Sequence, residues 1–180
     1  RSLGIRDDEL TAAELATFRE RAQYFLVDNE RHKSVELQLG DMIFKIAPSL
    51  PNGHFQTNLH VAGENLALFG LTALLSKPTL EFRTVPTHKQ PSVALGEIQL
   101  IPETGISVIS DIDDTIKLTE VLNRHELLRN TFCRPYEAIP GMASRFRGWE
   151  EANEAHFHYV SATPWQLSVP LTAFLRDKGF

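Results

Sequence analysis

Residues 108–117 read VISDIDDTIK, an apolar run that meets Asp111, Asp113 and Asp114 within four positions. Carboxylates this close repel one another and disfavour full ionisation. A divalent cation is the usual way to offset that cost. Asp111 and Asp113 are two apart, so they can share a side where the chain leaves a strand. One aspartate can attack phosphorus and form an aspartyl-phosphate. A second can protonate the leaving oxygen and then activate water. Mg²⁺ between Asp111 and the phosphoryl oxygens would cancel repulsion on both. Thr115 adds a hydroxyl that can order the loop. The bland alternative is a solvated turn or a helix cap. The apolar residues on both sides of the cluster favour a site.

A second stretch, HFHYVSATPW at 156–165, ends an apolar run at Ser161. On a strand parallel to the first and next to it, Ser161 would lie beside Asp111. Its hydroxyl and the following backbone N–H groups could then hold a phosphate. By itself this serine would read as a plain turn or N-cap residue. His156 and His158 alternate on the same strand, but two histidines without a third ligand read as strand or core residues. Trp165 is open to two readings, contact with a lipid or leaving group, or core packing.

The elements that must position these residues are legible in part. ISVIS at 106–110 is a continuous apolar run of buried-strand type. Helical patterns follow near 119–132 and 141–154, then the strand at 156–161. A last helix is predicted over 168–178, with Pro170 in its first turn and Gly179 as its stop. Strand, helices, strand, helix is the opening of a parallel α/β domain, here over 104–180. At the other end, TAAELATFRERA begins an N-terminal helix within 1–21, with Thr11 and Glu14 as a capping box and Leu10 and Leu15 as a staple. Between them, SVELQL, DMIFKI, HFQTNLHV, TLEFRT and ALGEIQLI alternate apolar with polar residues. Turn signals separate them at Asp28-Asn29, Gly40-Asp41, Pro51-Asn52-Gly53, Ala62-Gly63, Pro86 and Pro91. This pattern predicts a β-sandwich-like domain over 22–103.

Composition sets bounds on partners. The 180 residues are 42% hydrophobic, enough for a core, and carry a net charge of −5. That balance speaks against nucleic-acid binding. Cys133 is the single cysteine, so no intrachain disulfide can form, which suits a reducing, cytoplasmic setting. The longest mostly apolar stretch, Leu66–Leu75, is too short to span a bilayer. The first residues, Arg1-Ser2-Leu3-Gly4, show neither an initiator Met nor a signal pattern, and the chain is expected to be part of a longer protein. The arginine-rich stretch from Arg124 to Arg147 could attract an anionic head group, or simply be solvated helix faces.

DIDDT resembles the first motif of the haloacid-dehalogenase superfamily of phosphatases, and YVSATPW looks like its second. The longer span from SVISDIDDTIK to FHYVSATPWQL resembles the catalytic domain of the fungal actin-patch phosphatidate phosphatase family, over about 106–180. FLVDNERHKSVELQLG and PNGHF are weakly similar to the β-rich segment that precedes that domain. The resemblance implies an α/β fold of haloacid-dehalogenase type, Mg²⁺ as cofactor and phosphatidate as substrate, hydrolysed to diacylglycerol. By position, Asp111 is the implied nucleophile and metal ligand. Asp113 is the implied acid/base, with its backbone carbonyl on the metal. Thr115 supports the loop and Ser161 binds phosphate. Asp114 and Lys117 fit the family's local pattern without an assigned role. The superfamily's lysine and its further acidic ligands are expected beyond Phe180, so the 180 residues alone are expected to be inactive. Peripheral membrane attachment, or a place at cortical actin patches, follows from the same likeness; protein partners are not readable. Two other functions stay open: a phosphatase for a soluble phosphomonoester, and a non-catalytic scaffold or binding module.

Overall fold

The computed structural model describes residues 9–26, 30–63, 79–88 and 91–180. The opening residues 1–8, the turn at Asp28-Asn29 and the apolar stretch Leu66–Leu75 lie outside the described residues. The chain forms two compact units. Arg1–Val27 joins Thr104–Phe180 in one, and Asp28–Glu103 makes the other.

The second unit carries an antiparallel sheet of four strands: β1 (Glu36–Leu39), β2 (Met42–Lys45), β3 (Thr79–Thr84) and β4 (Leu95–Gln99), in the order β2-β1-β3-β4. Leu39 pairs with Met42 across a two-residue turn, and Gly40 there takes φ 57°, the positive value such tight hairpins need. Leu39 and Leu80 form a thin core with Met42, Phe44, Val61, Phe82 and Leu100 packed against them. Phe82 lies opposite Gly96, and its ring occupies the space a Cβ there would take. Four of the five predicted strands form. HFQTNLHV does not: 54–60 is exposed throughout, and the Asn52 side chain accepts a hydrogen bond from the His54 N–H. Among the described residues this stretch joins no sheet ladder. The described residues of this unit hold one four-stranded sheet.

In the first unit, β5 (Ile106–Asp111) and β6 (Ala155–Val160) are parallel neighbours, paired from Ile106↔Ala155 to Asp111↔Val160. Between them run α2 (Arg124–Phe132) and α3 (Met142–Asn153), and α4 (Ser168–Lys178) closes the chain. The mixed strands and helices make this an α/β unit. Ala155, Phe157 and Tyr159 alternate with the histidines, and the two rings pack into a core with Ile112, Ile116, Tyr136, Phe146, Leu171 and Phe174. Ile106 and Ile109 of β5 are exposed, against the buried strand expected. The core is built on the face where Phe146 stacks on Phe157, and the register sets Ile109 with His158 and Asp111 on the opposite side. Gly179 ends α4 at φ 76°. Residues 119–123 are not helical as expected; Asn123 caps α2, accepting from the N–H groups of His125 and Glu126.

The N-terminal helix α1 (Ala12–Ala22) belongs to this unit. Its predicted capping box forms: Glu14 N–H donates to Thr11 Oγ1, and Thr11 N–H donates to Glu14 Oε2 at 3.0 Å. The other oxygen, Glu14 Oε1, accepts from Arg129 at 2.7 Å and Arg134 at 3.0 Å, tying α1 to the far end of α2. The Thr11 backbone N–H does most to hold the Glu14 carboxyl down, to about 2. Both arginines assist, against the upward push of burial.

Candidate active site

Asp111 is the last residue of β5, and Ser161 follows β6 directly. Both therefore sit at the carboxyl ends of adjacent parallel strands, where α/β sheets place ligands. The chain leaves β5 through a tight loop. Ile112 O accepts from the N–H groups of Ile116 at 3.0 Å and Lys117 at 2.9 Å. Ile112 and Ile116 anchor the loop in the core at 3% and 0% exposed. Ile139 N–H donates to Ile116 O, and Leu118 N–H to Glu137 O, so the loop is held from a second side.

The three aspartates take three different surroundings. Asp111 is exposed, and among the described residues nothing pairs with its carboxylate. Asp113 is fully engaged. Its Oδ1 meets Lys117 Nζ at 2.8 Å and accepts from Thr119 Oγ1 at 2.8 Å. Its Oδ2 accepts from Ser161 Oγ at 2.8 Å and, more loosely, from Thr163 Oγ1 at 3.4 Å. Burial pushes the Asp113 carboxyl up, but the hydrogen bonds of Lys117, Thr119 and Ser161 and the lysine charge together hold it below its ordinary value. Asp114 caps the loop. Its two oxygens accept the backbone N–H groups of Thr119, Glu120 and Val121, each at 2.7 Å. Those bonds hold its carboxyl low against burial. Asp114 adopts φ 56°, a left-handed conformation that aspartate tolerates better than most residues.

Of the predicted residues, Asp113 and Ser161 are brought into direct contact, and Asp111 stands at the same strand end. The Thr115 hydroxyl has no partner among the described residues; its backbone N–H reaches Ile112 O at 3.3 Å. The hydroxyl that orders the loop is that of Thr119. Lys117, Thr119 and Thr163 were not legible as site residues, and Lys117 left the clearest trace: a lysine four positions past Asp113, flanked by Ile116 and Leu118.

His156 and His158 lie in β6, half-buried, opposite Ser107 and Ile109 in register. Trp165 is 73% exposed, so its packing reading fails. It borders a cavity of about 380 Å³ with Ser161, Thr163, Tyr159 and Leu171. In the arginine-rich stretch, Arg129 and Arg134 are engaged with Glu14, and Arg134 also with Glu126. No helix among the described residues is long and apolar enough to cross a membrane.

Comparison with known proteins places this geometry. Residues 106–180 match the family model of the phosphatidate phosphatase APP1 catalytic domain. An uncharacterized protein of Schizosaccharomyces pombe is 33% identical over 112 residues, which cover 61% of this chain and 17% of that protein. Phosphatidate phosphatase APP1 of Saccharomyces cerevisiae is 31% identical over 91 residues, 49% of this chain and 16% of the yeast protein. The chain thus spans less than a fifth of either relative. No solved structure matches. The matched span contains Asp111, Asp113 and Ser161 with the strands that carry them, and residues 106–180 belong to the phosphatidate phosphatase APP1 catalytic-domain family.

Proposed function

We propose that the protein is a phosphatidate phosphatase of haloacid-dehalogenase type, working through an aspartyl-phosphate on Asp111. The observation that carries the reaction class is the contact between Asp113 Oδ2 and Ser161 Oγ at 2.8 Å, at the strand end where Asp111, the last residue of β5, is exposed. The substrate rests on the family. In the first half-reaction an Asp111 oxygen attacks phosphorus and the P–O bond to diacylglycerol breaks, the leaving oxygen taking a proton from Asp113 in its protonated form. In the second, water attacks the phosphoryl group, its proton passes to Asp113, and the bond to Asp111 breaks. Asp113 is held ionised by Lys117, which suits the water-activating half. Ser161, whose hydroxyl donates to Asp113 Oδ2 and accepts from the Thr163 N–H at 2.9 Å, would bind a phosphoryl oxygen by turning that O–H from Asp113 to the phosphate.

The donor set fits a hard, oxygen-preferring cation such as Mg²⁺ in part. The Asp111 carboxylate is free to bind it, whereas both side-chain oxygens of Asp113 are taken, leaving that residue its backbone carbonyl. When bound, the cation would neutralise charge on the phosphoryl group and on Asp111. A buried, unbridged Cys133 is compatible with a reducing, cytoplasmic setting.

Phosphate release from phosphatidate in mixed micelles, compared with soluble phosphomonoesters and with chelator added, tests the reading. It expects Mg²⁺-dependent release favouring phosphatidate. Preference for a soluble ester would change the substrate and keep the chemistry. No hydrolysis of either by the native protein would leave the scaffold reading.

A further inference from the structure

We propose that Lys117 is the positioning residue for Asp113, a role that rests on the phosphatase reading above. Lys117 is 1% exposed, and a lysine is almost never so buried without a dedicated partner. Its ammonium has two: Asp113 Oδ1 at 2.8 Å and Thr119 Oγ1 at 2.5 Å. Thr119, 0% exposed, in turn donates to the same Asp113 oxygen at 2.8 Å. Lys117 and Thr119 thus grip one oxygen of the carboxylate from inside the protein. The other, Oδ2, is turned to Ser161 and the strand ends. A carboxylate held by one edge cannot rotate away from the reacting phosphorus, and holding a catalytic group in this way is worth far more than its contribution to stability.

The lysine is itself braced. Its Nζ lies 5.1 Å from the centre of the Tyr136 ring, within cation–π range. The Arg21 guanidinium of α1 lies 3.9 Å from the centre of the same ring. Arg21 also donates to Thr131 O at 2.8 Å and is 6% exposed. A helix outside the matched residues 106–180 therefore packs against the support of the acid/base group.

A double-mutant cycle between Lys117→Met and Asp113→Asn in the native protein tests the assignment. Met keeps the bulk of the stem and removes the charge. Alone, Lys117→Met should lower kcat about 10- to 100-fold, since Asp113 still provides a displaced base and general acid/base groups contribute 10²- to 10⁴-fold in all. KM should fall in step with kcat, leaving kcat/KM little changed, and phosphoenzyme should accumulate, because the loss falls on the water-activating half-reaction. In the Asp113→Asn background the same change should alter kcat less than about twofold, because the residue it positions is gone. Losses that multiply across the two backgrounds, or a Lys117→Met protein with wild-type kcat, would overturn the proposal. Where Lys117→Met fails to fold, Thr119→Val takes its place in the cycle with the same expectations. Coupled unfolding midpoints in the cycle report the pairing without any turnover. Inactive wild-type protein with coupled midpoints would sink the phosphatase reading alone; uncoupled midpoints would sink this one.

Discussion

The loop from Ile112 to Val121 and the sheet of Asp28–Glu103 use burial in opposite ways. The loop hides polar groups: Lys117 and Thr119 are among the most buried of the described side chains, and each is satisfied. The sheet hides only Leu39 and Leu80 at its centre and leaves Ile43, Leu95 and Ile98 largely exposed. Its strands are held by ladder hydrogen bonds and a thin apolar layer. Polar burial is costly unless every group is paired, and it repays that cost in defined geometry. The difference teaches where precision is needed. The loop fixes one carboxylate to within a hydrogen bond, while nothing in the sheet gathers groups that could react.

The comparison breaks most visibly at Asp111. Asp111→Asn should lower phosphate release on the order of 10⁴-fold or more, as loss of a covalent nucleophile does. The far-ultraviolet spectrum should not change, and the metal-free melting temperature should stay or rise as repulsion is relieved. In the sheet the balance reverses. Leu80→Ala, at 6% exposed, should cost the unit of Asp28–Glu103 about 2–5 kcal/mol in urea unfolding and leave kcat within about twofold. Gly96→Val should act in the same direction, by driving the Phe82 ring off its seat.

Smaller effects sharpen the contrast within the unit of Arg1–Val27 and Thr104–Phe180. Asp114→Ala removes three backbone caps and leaves a left-handed alanine, so it should destabilise by about 1–2 kcal/mol in denaturant melts. Asp114→Asn, which keeps an acceptor and tolerates that backbone, should cost less. A further effect is acid sensitivity at Glu14. Its folded pKa of about 2 lies below the ordinary 4.5, so the unfolded chain binds the proton more readily. The stabilisation is complete above about pH 4.5 and is lost as pH falls toward about 2. Glu14→Gln should flatten that part of the pH dependence, read from urea midpoints at stepped pH.

Local signals carried the sequence reading where they decide structure alone. The Thr11–Glu14 capping box and the Pro170 and Gly179 ends of α4 formed as predicted. So did the parallel neighbours β5 and β6, because apolar runs that end in Asp111 and Ser161 have few other arrangements. Long-range choices were not legible. Alternation at 54–61 looks like a strand, but pairing depends on a partner surface that no local pattern reveals. Helical periodicity at 119–123 yielded to the Asp114 caps, a contact that reaches five to seven positions along the chain. Asp113 and Ser161 were expected at one strand end, and their side chains touch there. The grip of Lys117 was not legible, since a lone lysine ordinarily means a solvated surface.

The most direct measurement is acid-quenched phosphoenzyme trapping. Native protein would be mixed with labelled phosphatidate and Mg²⁺, quenched in acid, digested and mapped by mass spectrometry. The account predicts a hydroxylamine-labile phosphoryl group on Asp111, absent in Asp111→Asn and more abundant in Asp113→Asn. Steady phosphate release with no label on Asp111, and undiminished in Asp111→Asn, would contradict it.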